Sequence, residues 1–183
     1  MKRLIIALGI VLASAAALSA QEVVTPQYEF GLNYSWLHVN GVNGDLHRTG
    51  NGGSGYFEYN IDKIVGLVGD FGGYANTRIN QRLFTYMFGP RFNWRHARWN
   101  PYVQFLFGGA DAWLNVNSPH SPTQNAFAMA AGGGLDYALT RRIALKPFQA
   151  EYVMTELQAN NGFGSRQNDV RFSAGVAFRF GEK

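Results

Sequence analysis

His120 and Ser121 stand side by side, a base next to a hydroxyl, the parts that nucleophilic chemistry needs. Pro119 and Pro122 bracket the pair, which puts it in a loop rather than on an element that would fix its geometry. The other histidines, His38, His47 and His96, also fall in loops or turns, and the four share no metal-ligand spacing. There is no cysteine, hence no thiolate nucleophile, thiolate metal site or disulfide framework. The stretches G-G-S-G (52–55) and N-G-F-G (161–164) lack the lysine of a phosphate loop and read as turn and loop chemistry. A second set is better ordered. Glu29, Glu58, Asp70, Arg91, Gln104, Asp136, Glu151, Arg171 and Arg179 each lie where apolar residues take alternate positions, and each falls on the other face. Opposite charges on an enclosed face either pair into a packed network or line a path for ions.

The elements that must position them are strands. Tyr28, Phe30, Leu32, Tyr34 and Trp36 alternate with Glu29, Gly31, Asn33, Ser35 and Leu37 in the first. After a Gly/Asn-rich segment, 38–53, a second strand sets Phe57, Tyr59 and Ile61 against Tyr56, Glu58 and Asn60. Asp62 and Lys63 form a tight turn into a third, 64–74, and a fourth opposes Phe84, Tyr86, Phe88, Phe92 and Trp94 to Thr85, Met87, Gly89, Arg91 and Asn93. A short connection, 95–100, leads to a fifth strand, which starts at Pro101, a residue suited to a strand's first position. The sixth, 126–137, turns through 139–142 into a seventh, where Phe148, Ala150, Tyr152 and Met154 oppose Gln149, Glu151 and Val153. In the eighth, Val170, Phe172, Ala174, Val176, Phe178 and Phe180 make one wholly apolar face, opposite Arg171, Ser173, Gly175, Ala177 and Arg179.

Alternation alone does not choose between a soluble sheet and a membrane one. The start of the chain does. Lys2 and Arg3 precede an apolar run from Leu4 to about Leu18 and the small-residue end Ala-Leu-Ser-Ala, the layout of a cleavable signal peptide over 1–20. The apolar run is about 15 residues, short of the roughly 20 that span a bilayer as a helix, and no later segment approaches it, so membrane crossing falls to strands. The remainder, 21–183, is sized for one domain. Without Lys2 and Arg3 its 14 cations stand against 12 acids, too even a balance to suggest nucleic acid. Longer connections at 38–53, 76–81, 114–125 and 156–167 alternate with three short turns, as in an all-β, eight-stranded antiparallel up-and-down transmembrane β-barrel with its turns and both termini in the periplasm.

The chain resembles the small eight-stranded outer-membrane β-barrels of the OmpA/OmpX type and the broad outer-membrane β-barrel domain family. The resemblance covers essentially all of 21–183. Its most specific element is the last strand, where Ser173, Gly175, Phe178 and Phe180 match the family's assembly signal of a polar residue, a glycine and two aromatics. The runs G-L-V-G-D-F-G-G-Y and G-G-G-L-D-Y are also similar. The likeness implies the outer membrane of a Gram-negative-type cell, engagement with the barrel-assembly machinery during biogenesis, and outer-membrane lipid and lipopolysaccharide as surroundings. His120 beside Ser121 is similar to the His-Ser pair of outer-membrane lipid A deacylases, but there the pair belongs on a strand at the lipid boundary, so no catalysis, metal or cofactor is expected here.

With the apolar faces toward lipid, the nine polar residues above point inward, because a charge facing lipid near the midplane costs roughly 2–4 kcal/mol. Hairpin arithmetic sets Glu151 opposite Arg171 and Arg91 opposite Gln104, and closure of the sheet brings Glu29 to Arg179. Lys63, Arg95, Arg98, Arg141, Arg142 and Lys183 fall on the turn side. Arg48, Arg78, Arg82 and Arg166 fall on the loop side, where guanidinium groups suit lipopolysaccharide phosphates. Tyr28, Trp36, Tyr59, Tyr86, Trp94, Trp99, Tyr102, Trp113 and Tyr152 are expected in interfacial girdles. The expected protein is a monomeric barrel with a structural or surface-interaction role, in adhesion or envelope integrity. A narrow small-solute channel is the alternative within the membrane, and a soluble lipocalin-like barrel, with the two faces reversed, the alternative outside it.

Overall fold

A computed structural model describes residues 25–40, 48–76, 81–113, 123–158 and 164–182. Eight strands follow in chain order: β1 (Pro26–Asn40), β2 (Arg48–Asn60), β3 (Val65–Asn76), β4 (Gln81–Asn93), β5 (Trp99–Trp113), β6 (Thr123–Ala138), β7 (Ile143–Gln158) and β8 (Gly164–Glu182). Each pairs antiparallel with its sequence neighbours, and β1 closes on β8, so the sheet is a closed barrel. The expected leader, 1–20, lies outside the described residues. Among the described residues no helix is long and apolar enough to cross a membrane; the strands do so.

Alternation fixes which way each strand faces. Phe30, Leu32, Leu67, Phe88, Phe105 and Phe107 are exposed on the outside, while Glu29, Asp70, Arg91, Gln104 and Glu151 are buried within. That is the inverse of a soluble barrel, and it rules out the lipocalin-like alternative. Outward rings pack along the wall, Trp36 on Phe172 at 5.8 Å and Phe71 edge-on to Phe88 at 5.5 Å. The three short turns share one end. Asp62 Oδ1 accepts from the backbone N–H groups of Ile64 and Val65 at 2.6 and 2.7 Å, and Thr140 Oγ1 does the same for Arg142 and Ile143 at 3.2 and 3.0 Å. Ala97, in the left-handed region at φ 43°, bends the middle turn.

Several strands extend beyond their expected bounds: β5 begins at Trp99, β6 at Thr123 and β8 at Gly164, and β7 runs to Gln158. The Gly/Asn-rich segment 38–53 is not one loop: β1 runs on to Asn40 and β2 begins at Arg48. Glycines carry no side chain to alternate, so periodicity cannot reveal them as strand, yet Gly52 and Gly53 pair with Ser35 and Tyr34 on one side and with Tyr74 and Gly73 on the other. The wall at Gly52 has no room for a side chain, since a Cβ there would lie 2.7 Å from the Tyr74 ring. The seventh strand begins at Ile143, directly after the 139–142 turn as expected. A register shift between Lys146 and Gln149 leaves Pro147 and Phe148 both facing outward, a bulge that accommodates a residue unable to donate to the ladder.

Candidate functional site in the barrel interior

Inward glycines and alanines make the space that long polar side chains fill. A Cβ on Gly31 would run into the Tyr56 ring, one on Gly66 into the Glu58 carboxylate, and one on Gly134 into the Tyr102 hydroxyl. β6 contributes Ala128 and Ala130, so the larger side chains of β4 and β5, Met87 and Leu106, reach full burial.

Two connected clusters result. The first, near the turn end, is centred on Arg91 of β4. Its Nη1 lies 2.9 Å from Glu58 Oε2 and 3.9 Å from Glu29 Oε1, and its Nη2 lies 2.6 Å from Asp136 Oδ2. The guanidinium carbon sits 3.4 Å from the centre of the Tyr102 ring, a cation–π contact in a site away from water. Glu29 accepts from the Tyr56 hydroxyl and from Arg179 Nε, each at 2.7 Å. Asn93 donates to Glu58 at 2.7 Å. Lys146 Nζ stands 3.8 Å from Asp136 Oδ1 and above the Tyr56 ring, 4.0 Å from its centre. Three carboxylates thus face three cations, which is how charge is tolerated in so dry a place.

The second cluster is centred on Arg171 of β8. Its Nε donates to Glu151 at 2.7 Å, and its Nη1 donates to Asp70 at 2.9 Å and to the Tyr74 hydroxyl at 2.6 Å. Glu151 also accepts from Gln104 and Gln149, each at 2.7 Å. The Tyr102 hydroxyl donates to Gln149 at 2.8 Å and joins this cluster to the first through the ring that covers Arg91.

The structure therefore brings together Glu29, Glu58, Arg91, Asp136 and Arg179 in one group and Asp70, Gln104, Glu151 and Arg171 in the other. Glu151 and Arg171 are register partners and an ion pair, as are Glu29 and Arg179. Arg91 and Gln104 are register partners too, but each turns to partners elsewhere in the lumen. Tyr102 does not belong to a girdle: it is 2% exposed and wholly interior, because it lies on the same strand face as Gln104. Tyr28, Trp36, Tyr86, Trp94, Trp99 and Tyr152 are exposed outward, Tyr59 is half-buried, and the Trp113 side chain lies outside the described residues.

Lys146 is the member that sequence reasoning missed. Counting forward from the turn, through Ala144, would have placed it inward; counting back from Phe148 hides it behind the bulge. Tyr56, Tyr74 and Gln149 share inward positions with recognised charges but carry no charge to flag them. Of the assembly-signal residues, Ser173 Oγ is 2.8 Å from Ser35 Oγ, Gly175 leaves room for Asn33, and Phe178 and Phe180 face outward. Arg82 is exposed at the loop end, whereas Arg78, His47, His120 and Ser121 and the side chains of Arg48 and Arg166 fall outside the described residues. His38 stacks on Trp36 at 5.6 Å. Among the described residues no group of His, Asp and Glu could hold a metal. In the middle turn, Arg95 donates to the Lys63 carbonyl and to Asn60 Oδ1, each at 2.7 Å. Burial lowers its pKa from the ordinary value, while the carboxylates of Glu58 and Glu29 pull the other way; a guanidinium stays charged throughout.

A closed eight-stranded sheet, apolar outside and charged within, is a transmembrane barrel. Residues 5–180 match the family model described as the outer membrane protein beta-barrel domain, and the chain belongs to that family and resides in the outer membrane. Among solved structures it is similar to the Neisserial surface protein NspA, at TM-score 0.69 and 15% identity over 87% of this chain and 100% of that one. It is also similar to Ail, the attachment invasion locus protein of Yersinia pestis, at TM-score 0.58 and 15% identity over 85% and 99% of the two chains. The N-terminal barrel of Pseudomonas aeruginosa OprF matches at TM-score 0.51 and 18% identity over 85% and 100%. At these identities the likeness is one of fold. No curated protein matches the chain.

Proposed function

We propose that this barrel is a closed, non-catalytic outer-membrane anchor with a structural or surface-interaction role, in adhesion or envelope integrity. The observation that carries the reading is the packing of the lumen. Arg91, Arg171 and Lys146 are 0–1% exposed, and Met87 and Leu106, both 0% exposed, set an apolar layer beside the charges. An ion crossing that section would lose its hydration and find every nearby charge already held by partners. The cell exterior is then met by the loop-side connections, 41–47, 77–80, 114–122 and 159–163. Surface loops are where binding is grafted on such scaffolds. Ail, by its name, serves attachment, and it has been solved with the heparin analogue sucrose octasulfate; an anionic surface polymer is one ligand class that the loop connections here would take.

With the turns in the periplasm, Arg48, Arg78, Arg82 and Arg166 serve as contacts for lipopolysaccharide phosphates. Ser173, Gly175, Phe178 and Phe180 serve as the signal to the barrel-assembly machinery, and the barrel acts as a monomer. The test is single-channel conductance of the refolded protein in a planar bilayer, beside Arg171→Ala. A folded, silent protein supports the anchor. Discrete openings whose size changes in the variant would overturn it and make the lumen a narrow solute path.

A further inference from the structure

The three turns at one end of the barrel carry mainly cations. Across turn residues 61–64, 94–98 and 139–142 there are five cations, Lys63, Arg95, Arg98, Arg141 and Arg142, and a single acid, Asp62. Asp62 is engaged in its own turn, accepting from two backbone N–H groups. Arg95 is half-buried and bonded to Asn60 and to the Lys63 carbonyl. Lys63, Arg98, Arg141 and Arg142 are exposed and have no carboxylate partner among the described residues.

These four are held in place from beneath. The Arg98 carbonyl accepts from the Ala138 N–H at 2.8 Å, which ties the middle turn to the start of the third. The Arg142 carbonyl accepts from the Arg179 N–H at 2.8 Å, and the Arg95 side chain clamps the first turn to the second. The cations therefore stand on a rigid rim rather than on wandering loops. Just inboard of them, outward-facing Trp94 and Trp99 are 45% and 49% exposed, with Tyr137 packed 4.6 Å from Trp99, between ring centres. Indole and phenol rings take the level where hydrocarbon gives way to headgroups. Cations one step beyond such rings lie at the depth of the lipid phosphates.

We infer that the turn-side rim is a binding surface for anionic glycerophospholipid headgroups, with Lys63, Arg98, Arg141 and Arg142 as its contacts. Guanidinium groups meet a phosphate with two parallel hydrogen bonds and the ammonium group of Lys63 meets it as a point charge. Placing that leaflet on the periplasmic side rests on the orientation proposed above; the headgroup preference does not, and it is read independently of conductance.

The test uses the folded full chain in bilayers of phosphatidylcholine containing increasing acyl-brominated phosphatidylglycerol, with tryptophan quenching giving the relative association of the two lipids. The wild type is expected to favour phosphatidylglycerol by on the order of tenfold, since each cation near an anionic headgroup adds a modest, salt-screened attraction. The K63E/R98E/R141E/R142E variant brings the ratio near one, and 0.5 M salt is expected to do much the same, a concentration on the order of that which shrinks screening to a few ångströms. Asn125→Gln, an uncharged change at the opposite end, leaves the preference intact. Should the quadruple variant fail to fold, R141Q/R142Q is expected to lose about half of the preference on a logarithmic scale, given roughly equal contributions per cation. A wild-type ratio near one, or a preference that survives in the rim variants or disappears with Asn125→Gln alone, would overturn the inference.

Discussion

Arg171 of β8 and Asp70 of β3 are 101 residues apart in the chain and 2.9 Å apart in the lumen, with β1 and β2 between them in the sheet. The bond therefore runs across the interior and not along the wall. Arg171 also holds Glu151 of the adjacent β7, so one guanidinium braces three strands.

Reversing the charge at that position should be costly. Arg171→Glu removes the cation shared by two buried carboxylates and adds a third, and breaking a buried pair costs about 3–5 kcal/mol. Urea unfolding of the refolded barrel in lipid bilayers is expected to show a clearly lowered midpoint. Undiminished denaturant resistance would mean that the cross-lumen bond contributes nothing to stability.

The two interior cations near Asp136 should rank in a definite order. Arg91 approaches Asp136 to 2.6 Å and also serves Glu58, whereas Lys146 stands 3.8 Å from Asp136 and leans on aromatic rings. Lys146→Met keeps the packing stem and leaves Asp136 paired, so its loss is expected to stay near 1–2 kcal/mol, of the order of a cation–π contact. Arg91→Met strands two carboxylates and should lose about 3–5 kcal/mol. Equal losses in the same titration would argue against Arg91 as the hub.

Glycine positions separate into those that make room and those that do not. A Cβ on Gly132 would come within 2.6 Å of Glu151 Cα and 2.7 Å of its Cγ, while one on Gly73 would meet nothing within 4 Å. Gly132→Ala is expected to cost about 1–3 kcal/mol through overpacking. Gly73→Ala is expected to be neutral or to stabilise by up to about 1 kcal/mol, since it restricts the unfolded chain without strain in the folded one. Paired unfolding curves check both, and a loss at Gly73 as large as at Gly132 would contradict the account.

How much of this was legible beforehand depends on what carries the signal. Period-two alternation showed the facing of every strand, because lipid enforces it at several residues in a row, and tight turns made register a matter of adding residue numbers, as for Glu151 with Arg171. The method stops where a strand is irregular or featureless. Pro147 breaks the count and hides Lys146, and 50–55, four glycines with Asn51 and Ser54, offer too few side chains to count. It also stops at the lumen's middle. Pairing arithmetic describes neighbours in the wall, so it could place Arg91 opposite Gln104 but not foresee that Arg91 reaches Glu58 and Asp136 while Gln104 reaches Glu151. Tyr102 was misplaced for a related reason: an aromatic near a strand end suits a membrane boundary, and only its face shows that it serves as an interior lid on Arg91.

The join between the first and last strands has a kinetic meaning. Before β1 meets β8, each offers a bare row of N–H and C=O groups, a hazard that full closure abolishes. The side chains that bridge this join, Glu29 to Arg179 and Ser35 to Ser173, belong to the same interior as the charge clusters. An open sheet would leave Glu29 and Arg179 wet and apart, and shutting the cylinder drives out the water and pairs them in one event. Sealing the join and drying this side of the lumen thus go together, and a sheet still open between β1 and β8 would lack both the hydrogen bonds of that ladder and the Glu29–Arg179 ion pair.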